Sequence, residues 1–209
     1  MSFKKIVCLC VFSFSLSLML CLSIGAYAYT HKGLQTIPSQ IYISTTLTDD
    51  QLARTQDAMS TWNTTCFAYD HLVYAGRTNI SSSPVEDDTN TITFLNSSES
   101  YLGYTYYVNK KYTFLWLNWY LEEFDMNINA SKTWYTGESE SDIRSIQYDF
   151  ESVVLHELGH VLGLDHTDEY SYALPDGTFQ DIVMYSALPS GSVVRKLSED
   201  DRLGIVNLY

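Results

Sequence analysis

Cysteine is almost missing from the part of this chain that would remain after processing. Four occur in 209 residues, and Cys8, Cys10 and Cys21 fall within the first 28, leaving Cys66. One cysteine forms no internal disulfide, so Cys66 is expected as a small buried hydrophobe and the fold rests on packing and metal. Proline and glycine are sparse, at 4 and 10 residues, and no linker, repeat or low-complexity tract divides the chain. Basic residues are also few, 12 against 25 acids for a net charge of −13, which repels phosphate backbones and excludes nucleic acid as the expected partner. Beyond residue 24 no apolar run is long enough to cross a bilayer. With 45% hydrophobic and 18% charged residues, a disordered chain or a coiled coil is excluded as well.

What is present begins with a leader. Lys4 and Lys5 form a short positive end, residues 6–24 are almost uninterruptedly apolar, and Ala26-Tyr27-Ala28 offers the small residues that a signal peptidase reads. Cleavage is expected before Tyr29, giving a signal peptide over 1–28 and a secreted, extracellular domain over 29–209. The alternative is an uncleaved membrane anchor through residues 6–24. The remaining chain is long enough to bury its own core, and a monomer without stable membrane association is expected. Sequons at Asn63, Asn79, Asn96 and Asn129 matter only in a glycosylating host.

Residues 40–44 read as a short strand, with Ile41 and Ile43 on one face. Thr48 and Gln51 fit a capping box, and Leu52, Thr55, Met59 and Trp62 recur at helical spacing, so a helix is expected from Thr48 to about Trp62. Strands are expected over 92–95, 101–108, 112–120 and 124–128, where β-branched and aromatic residues concentrate. Between them, 81–90 reads as a polar loop with Glu86, Asp87 and Asp88. A second helix is expected from near Gln147 through Val161. A third is announced by the capping pair Ser198 and Asp201 and carries Leu203, Val206 and Tyr209 on one side. The order implies one mixed α/β (α+β) domain.

The run His156-Glu157-Leu158-Gly159-His160-Val161-Leu162-Gly163-Leu164-Asp165-His166 carries the chemistry. On a helix, His156 and His160 stand one turn apart on one face and can hold one zinc ion from the same side. Phe150, Val154, Leu158 and Val161 form an apolar stripe elsewhere on that helix. His166 lies too far along to share the face of the histidines, but Gly163 can take positive φ, end the helix and turn the chain back to the metal. Three imidazoles leave a fourth tetrahedral position for water, the pattern of a catalytic zinc site. Glu157 can face that water as general base and later return the proton to the leaving amine. With the glycine and third histidine included, a chance match is on the order of one in 10⁵ for a chain this long. A closed structural zinc site would want a fourth ligand, and Cys66, His71 and His31 match no ligand spacing.

At every defining position this run resembles the extended zinc motif of the metzincin metallopeptidases. Ile182-Val183-Met184-Tyr185 resembles their Met-turn, which implies Met184 as an apolar floor under the histidines and Tyr185 as a pocket-wall or support residue. The segment 197–209 resembles the C-terminal helix of a matrixin catalytic domain, and Asp149-Phe150 and residues 123–129 fit the same pattern. The resemblance implies a single metzincin-type domain with a twisted, mostly parallel sheet, an antiparallel edge strand and three helices. In it the zinc-binding helix is followed by the Met-turn and a C-terminal helix. By the same analogy Leu102, Gly103, Tyr104, Thr105, Tyr106 and Tyr107 form the edge strand on which an extended peptide pairs, and residues 187–194 line the specificity pocket.

Four departures stand out. Ser186 occupies the place where some metzincins put a tyrosine ligand. The 167–181 loop is longer than in typical matrixins. Residues 29–40 hold no cysteine switch, and the structural-zinc histidines of matrixins are missing. Either Asp200 or Asp201 could receive a mature N-terminal ammonium, though Asp201 is better placed as a helix cap. Calcium at residues 86–88 is admitted without support. The sequence thus predicts a secreted endopeptidase with one catalytic Zn2+ that acts on extended polypeptides. The reading from another class is a catalytically silent zinc-binding adhesin or inhibitor.

Overall fold

The computed structural model describes residues 34–35, 39–68, 70–112, 119–174 and 176–209. The leader and its cleavage site lie outside them, as do residues 113–118 of one expected strand. No helix among the described residues is long and apolar enough to cross a membrane.

Strands β1 (Leu34–Gln35), β2 (Ser39–Ser44), β3 (Leu72–Thr78), β4 (Asn90–Leu95), β5 (Gly103–Tyr112) and β6 (Trp119–Asn129) form the main sheet. Across it the order is β5-β6-β4-β2-β3, and β1 pairs with the first half of β6. All these pairings are parallel except β5 with β6, which is antiparallel and places β5 at the edge. Helices α1 (Asp49–Cys66), α2 (Phe150–Val161) and α3 (Glu199–Val206) complete the arrangement. Two small pairs flank the site: β7 (Trp134–Tyr135) with β8 (Tyr148–Asp149), and β9 (Ser171–Ala173) with β10 (Phe179–Asp181). Among the described residues, three α-helices, a mostly parallel sheet and an antiparallel edge strand are what the resemblance implies.

The core follows from alternation. Ile41, Ile43, Ile92, Phe124, Met126 and Ile128 all face inward and are buried against Phe150, Val154, Leu155 and Leu158 of α2 and against Ala58, Met59 and Trp62 of α1. Each such side chain stabilises the fold by about 1.5–3 kcal/mol. Trp62 fastens the two helices together by donating its indole N–H to the Leu155 carbonyl at 2.9 Å. From Glu123 to Asn129 the other face of β6 is polar yet also buried. There Asp125 accepts from Val85 N–H at 2.5 Å, and Glu123 accepts from Asp87 and Asp88 N–H at 3.0 and 2.9 Å. The acidic loop is thus tied down by its backbone amides. Burial pushes the Asp125 carboxyl up to about 6, with Glu123 and Asp87 adding to the rise against the amide bond.

Several expectations need correction. The strands expected over 101–108, 112–120 and 124–128 are two long ones: residue 112 ends β5, and residues 119–120 already belong to β6. Strand β3 was not expected; Gly76, at φ +125°, breaks its pattern. The second helix starts at Phe150, because Tyr148–Asp149 is extended and pairs with β7. The inward face of α3 is Asp200, Asp201, Gly204 and Ile205, while Val206 and Tyr209 are exposed.

Candidate metal centre and cleft

Helix α2 is fixed at its start by a buried polar cluster. Asp149 caps it, accepting from Ser152 N–H at 3.0 Å and from Ser152 Oγ at 2.6 Å. Arg195 clamps the same carboxylate through Nε at 2.9 Å and Nη2 at 2.5 Å. Its Nη1 also lies 3.3 Å from Glu151. Burial pushes the Glu151 carboxyl up, against the pull of Arg195 and Arg54. Sequence reasoning singled out neither Arg195 nor Ser152, since the cluster joins segments more than forty residues apart.

At the other end, α2 stops where Gly163 takes φ +98° and Leu164 N–H bonds back to the Gly159 carbonyl at 3.0 Å. The chain then turns so that His166 Nε2 lies 3.2 Å from both His156 Nε2 and His160 Nε2. His156 Nδ1 sits 2.7 Å from the Val183 carbonyl, and His160 Nδ1 sits 2.8 Å from the Leu164 carbonyl. A carbonyl only accepts, so each Nδ1 carries the proton and each Nε2 presents a lone pair inward. Lone pairs crowded this closely call for a cation between them, and three imidazoles are a donor set that suits zinc. Those three residues can hold a metal.

Beneath the histidines, residues 182–185 make a tight turn, with Tyr185 N–H on the Ile182 carbonyl at 3.3 Å. Met184 is buried there, and its thioether packs so closely on α2 that a Cβ at Gly159 would lie 2.3 Å from the sulfur. Asp201 holds the turn by accepting from Val183 and Met184 N–H at 3.1 Å each, while also capping α3 with Ser198. Burial raises its carboxyl despite these donors. Its capping role was expected, but its grip on the turn was not. Thr167 N–H donates to the Met184 carbonyl at 3.0 Å, linking the third histidine to the same turn.

The histidines open into a cleft of about 420 Å³. Tyr101, Leu102 and Gly103 line it together with His156, Glu157, Tyr185, Leu188 and Val194. Ala187, Pro189 and Ser192 from the 187–194 segment also border it. Val194 is anchored through its N–H on Ser152 Oγ at 2.8 Å. The long 167–181 loop folds into the β9–β10 hairpin and brings Tyr170 and Asp181 to the rim, with Tyr170 edge-on to Tyr185. Glu157 is buried beside the cleft, next to β5, whose residues Tyr104 and Tyr106 point outward. Tyr107 turns inward and donates to the His160 carbonyl at 2.6 Å, and burial pushes its phenol up.

The family model that matches this chain is that of the matrixins, over residues 40–209. Matrix metalloproteinase-2 of Drosophila melanogaster is 40% identical over 86 residues, 41% of this chain and 10% of that protein. Metalloendoproteinase 1-MMP of Arabidopsis thaliana is 31% identical over 84 residues, 40% of this chain and 20% of that protein. The matched stretches span a tenth to a fifth of these relatives' lengths. Among solved structures, high choriolytic enzyme 1, a hatching enzyme zinc-protease from the medaka Oryzias latipes, is similar at 15% identity and a TM-score of 0.38, covering 80% of this chain and 86% of that one.

Proposed function

The chain belongs to the matrixin family, and from that premise we propose that it is a secreted, zinc-dependent endopeptidase cutting extended polypeptides. The observation that carries the reading is the meeting of three imidazole Nε2 atoms beside a buried carboxylate, at the mouth of a cleft walled by a sheet edge. When held by His156, His160 and His166, zinc would supply Lewis acidity to a water and to the scissile carbonyl.

The chain's own residues do the rest. Among the described residues β5 pairs with β6 alone, so its other side offers backbone N–H and C=O groups along 103–107 on which an extended substrate can pair and bring one carbonyl to the histidines. Substrate side chains at alternate positions then enter the space between Tyr185, Leu188 and Val194. Glu157 takes the proton of the attacking water on a carboxylate oxygen and later delivers it to the departing amine nitrogen. The backbone carbonyls at Val183 and Leu164 keep His156 and His160 in one tautomer throughout. Met184 closes the floor, and Tyr185 shapes the wall.

The test is cleavage of unfolded casein by the purified protein with equimolar zinc, read by mass spectrometry. Internal cuts that vanish in Glu157→Ala and with a chelator support the endopeptidase. Zinc bound without any cut supports the silent binding protein instead. N-terminal sequencing of exported protein separates cleavage before Tyr29 from retention on a membrane.

A further inference from the structure

Strand β5 is expected to serve the substrate with its backbone, yet its inward side chains reach the catalytic helix. Residues 103, 105 and 107 alternate toward α2, while Tyr104 and Tyr106 are 48% and 37% exposed on the opposite side. Thr105 is buried and donates its hydroxyl to Glu157 Oε2 at 2.6 Å, across 52 positions of sequence. Two residues earlier, Gly103 has no side chain where one would collide: a Cβ there would lie 2.8 Å from both Cγ and Oε1 of Glu157 and 3.0 Å from Val153. One carboxylate oxygen is therefore held by a hydroxyl, and the other occupies space that the glycine leaves at the cleft wall.

We propose that Thr105 is a positioning residue for Glu157. Its hydroxyl fixes the carboxylate rotamer so that Oε1, beside Gly103, is the oxygen presented to the water. A glutamate has three side-chain torsions, and a carboxylate turned away from the reacting atoms loses rate although substrate still binds. The hydrogen bond is short, at 2.6 Å, and buried, so breaking it frees the carboxylate to turn. The strand that aligns the substrate backbone thereby also sets the base, so substrate and base share one rigid reference. The proposal rests on Glu157 acting as the base.

A threonine that merely packs β5 on α2 would be replaced by valine, its near-isostere, with little effect on turnover once the protein is folded. The positioning role requires more. Thr105→Val lowers kcat about tenfold to a hundredfold, as expected for losing a hydrogen bond to a charged group, with KM within about threefold. Thr105→Ser keeps the hydroxyl and recovers most of the rate. Zinc affinity, measured by competition with a chromophoric chelator, stays within about threefold in both variants, since neither replaces a histidine. A crystal structure of zinc-free Thr105→Val shows Glu157 departing from the rotamer of the parent protein. Thr105→Val with parental kcat, or with Glu157 unmoved, overturns the proposal, as does failure of serine to rescue. If Glu157→Ala itself cuts at the parental rate, it is the assignment of the base that fails, and with it the ground for this one.

Discussion

Arg195 offers the sharpest energetic prediction. Its side chain is 7% exposed and faces the fully buried Asp149 through two hydrogen bonds, with Glu151 3.3 Å away and the Gly137 and Glu138 carbonyls at 2.9 and 3.0 Å. Arg195→Met keeps the length of the chain but leaves two neighbouring acids at the start of α2 without their shared cation. Removing one partner of a buried pair costs about 3–5 kcal/mol. Ser152 still donates twice to Asp149, which places the loss near the lower end, about 3 kcal/mol, or on the order of 6–12 °C in unfolding temperature for a domain this size. Asp149→Asn, which retains an acceptor for Ser152 N–H, costs less. The double variant loses less than the sum by more than about 1 kcal/mol, because the Arg195–Asp149 pair is then removed as a whole. Urea unfolding at pH 7 with linear extrapolation reads all four corners. Because Val194 hangs on Ser152 in the same cluster, Arg195→Met also raises KM through a loosened pocket wall. An Arg195→Met loss under about 0.5 kcal/mol, or simple additivity, refutes the reasoning.

Other perturbations have equally definite outcomes. Gly159→Ala drives a methyl into the Met184 thioether and costs about 1–3 kcal/mol by chemical unfolding. Asp125→Asn keeps the acceptor for Val85 N–H but removes a carboxyl whose folded value is about 6. An acid raised on folding makes the parent lose stability as pH rises from about 4 to about 6, so the variant gains on it through that window and holds its lead above it. Thermal melts at stepped pH read this directly. Chelation lowers the unfolding temperature, since zinc at 1,000 times its dissociation constant stabilises the folded chain by about 4 kcal/mol.

Local signals were the ones readable in advance. The Thr48–Gln51 capping box begins α1 where expected, and the Ser198–Asp201 pair begins α3. The turn at Gly163 needed only the spacing of two histidines from a third. The misses share a cause in long-range pairing. Residues 148–149 look helical by continuity with α2, yet they are drawn into a ladder with Trp134 and Tyr135. Helix α3 turns a polar side inward because Asp201 must reach the amides of Val183 and Met184, a demand set by another segment. Glu123 and Asp125 are buried acceptors for the 85–88 backbone, a pairing across 35 to 40 positions of sequence. Thr105 is one polar residue in a tyrosine-rich strand until α2 is laid against it.

The central claim is that His156, His160 and His166 hold the metal while Glu157 works beside it without binding. Zinc isotherms for the parent, Glu157→Ala and His166→Ala, each competed against a chromophoric chelator, test it in one experiment. The account predicts one zinc per chain for the parent, the same affinity within a few-fold for Glu157→Ala, and a loss of at least about a hundredfold for His166→Ala, comparable to breaking the orientation of a metal ligand. Parental affinity in His166→Ala, or loss of zinc from Glu157→Ala, would contradict it.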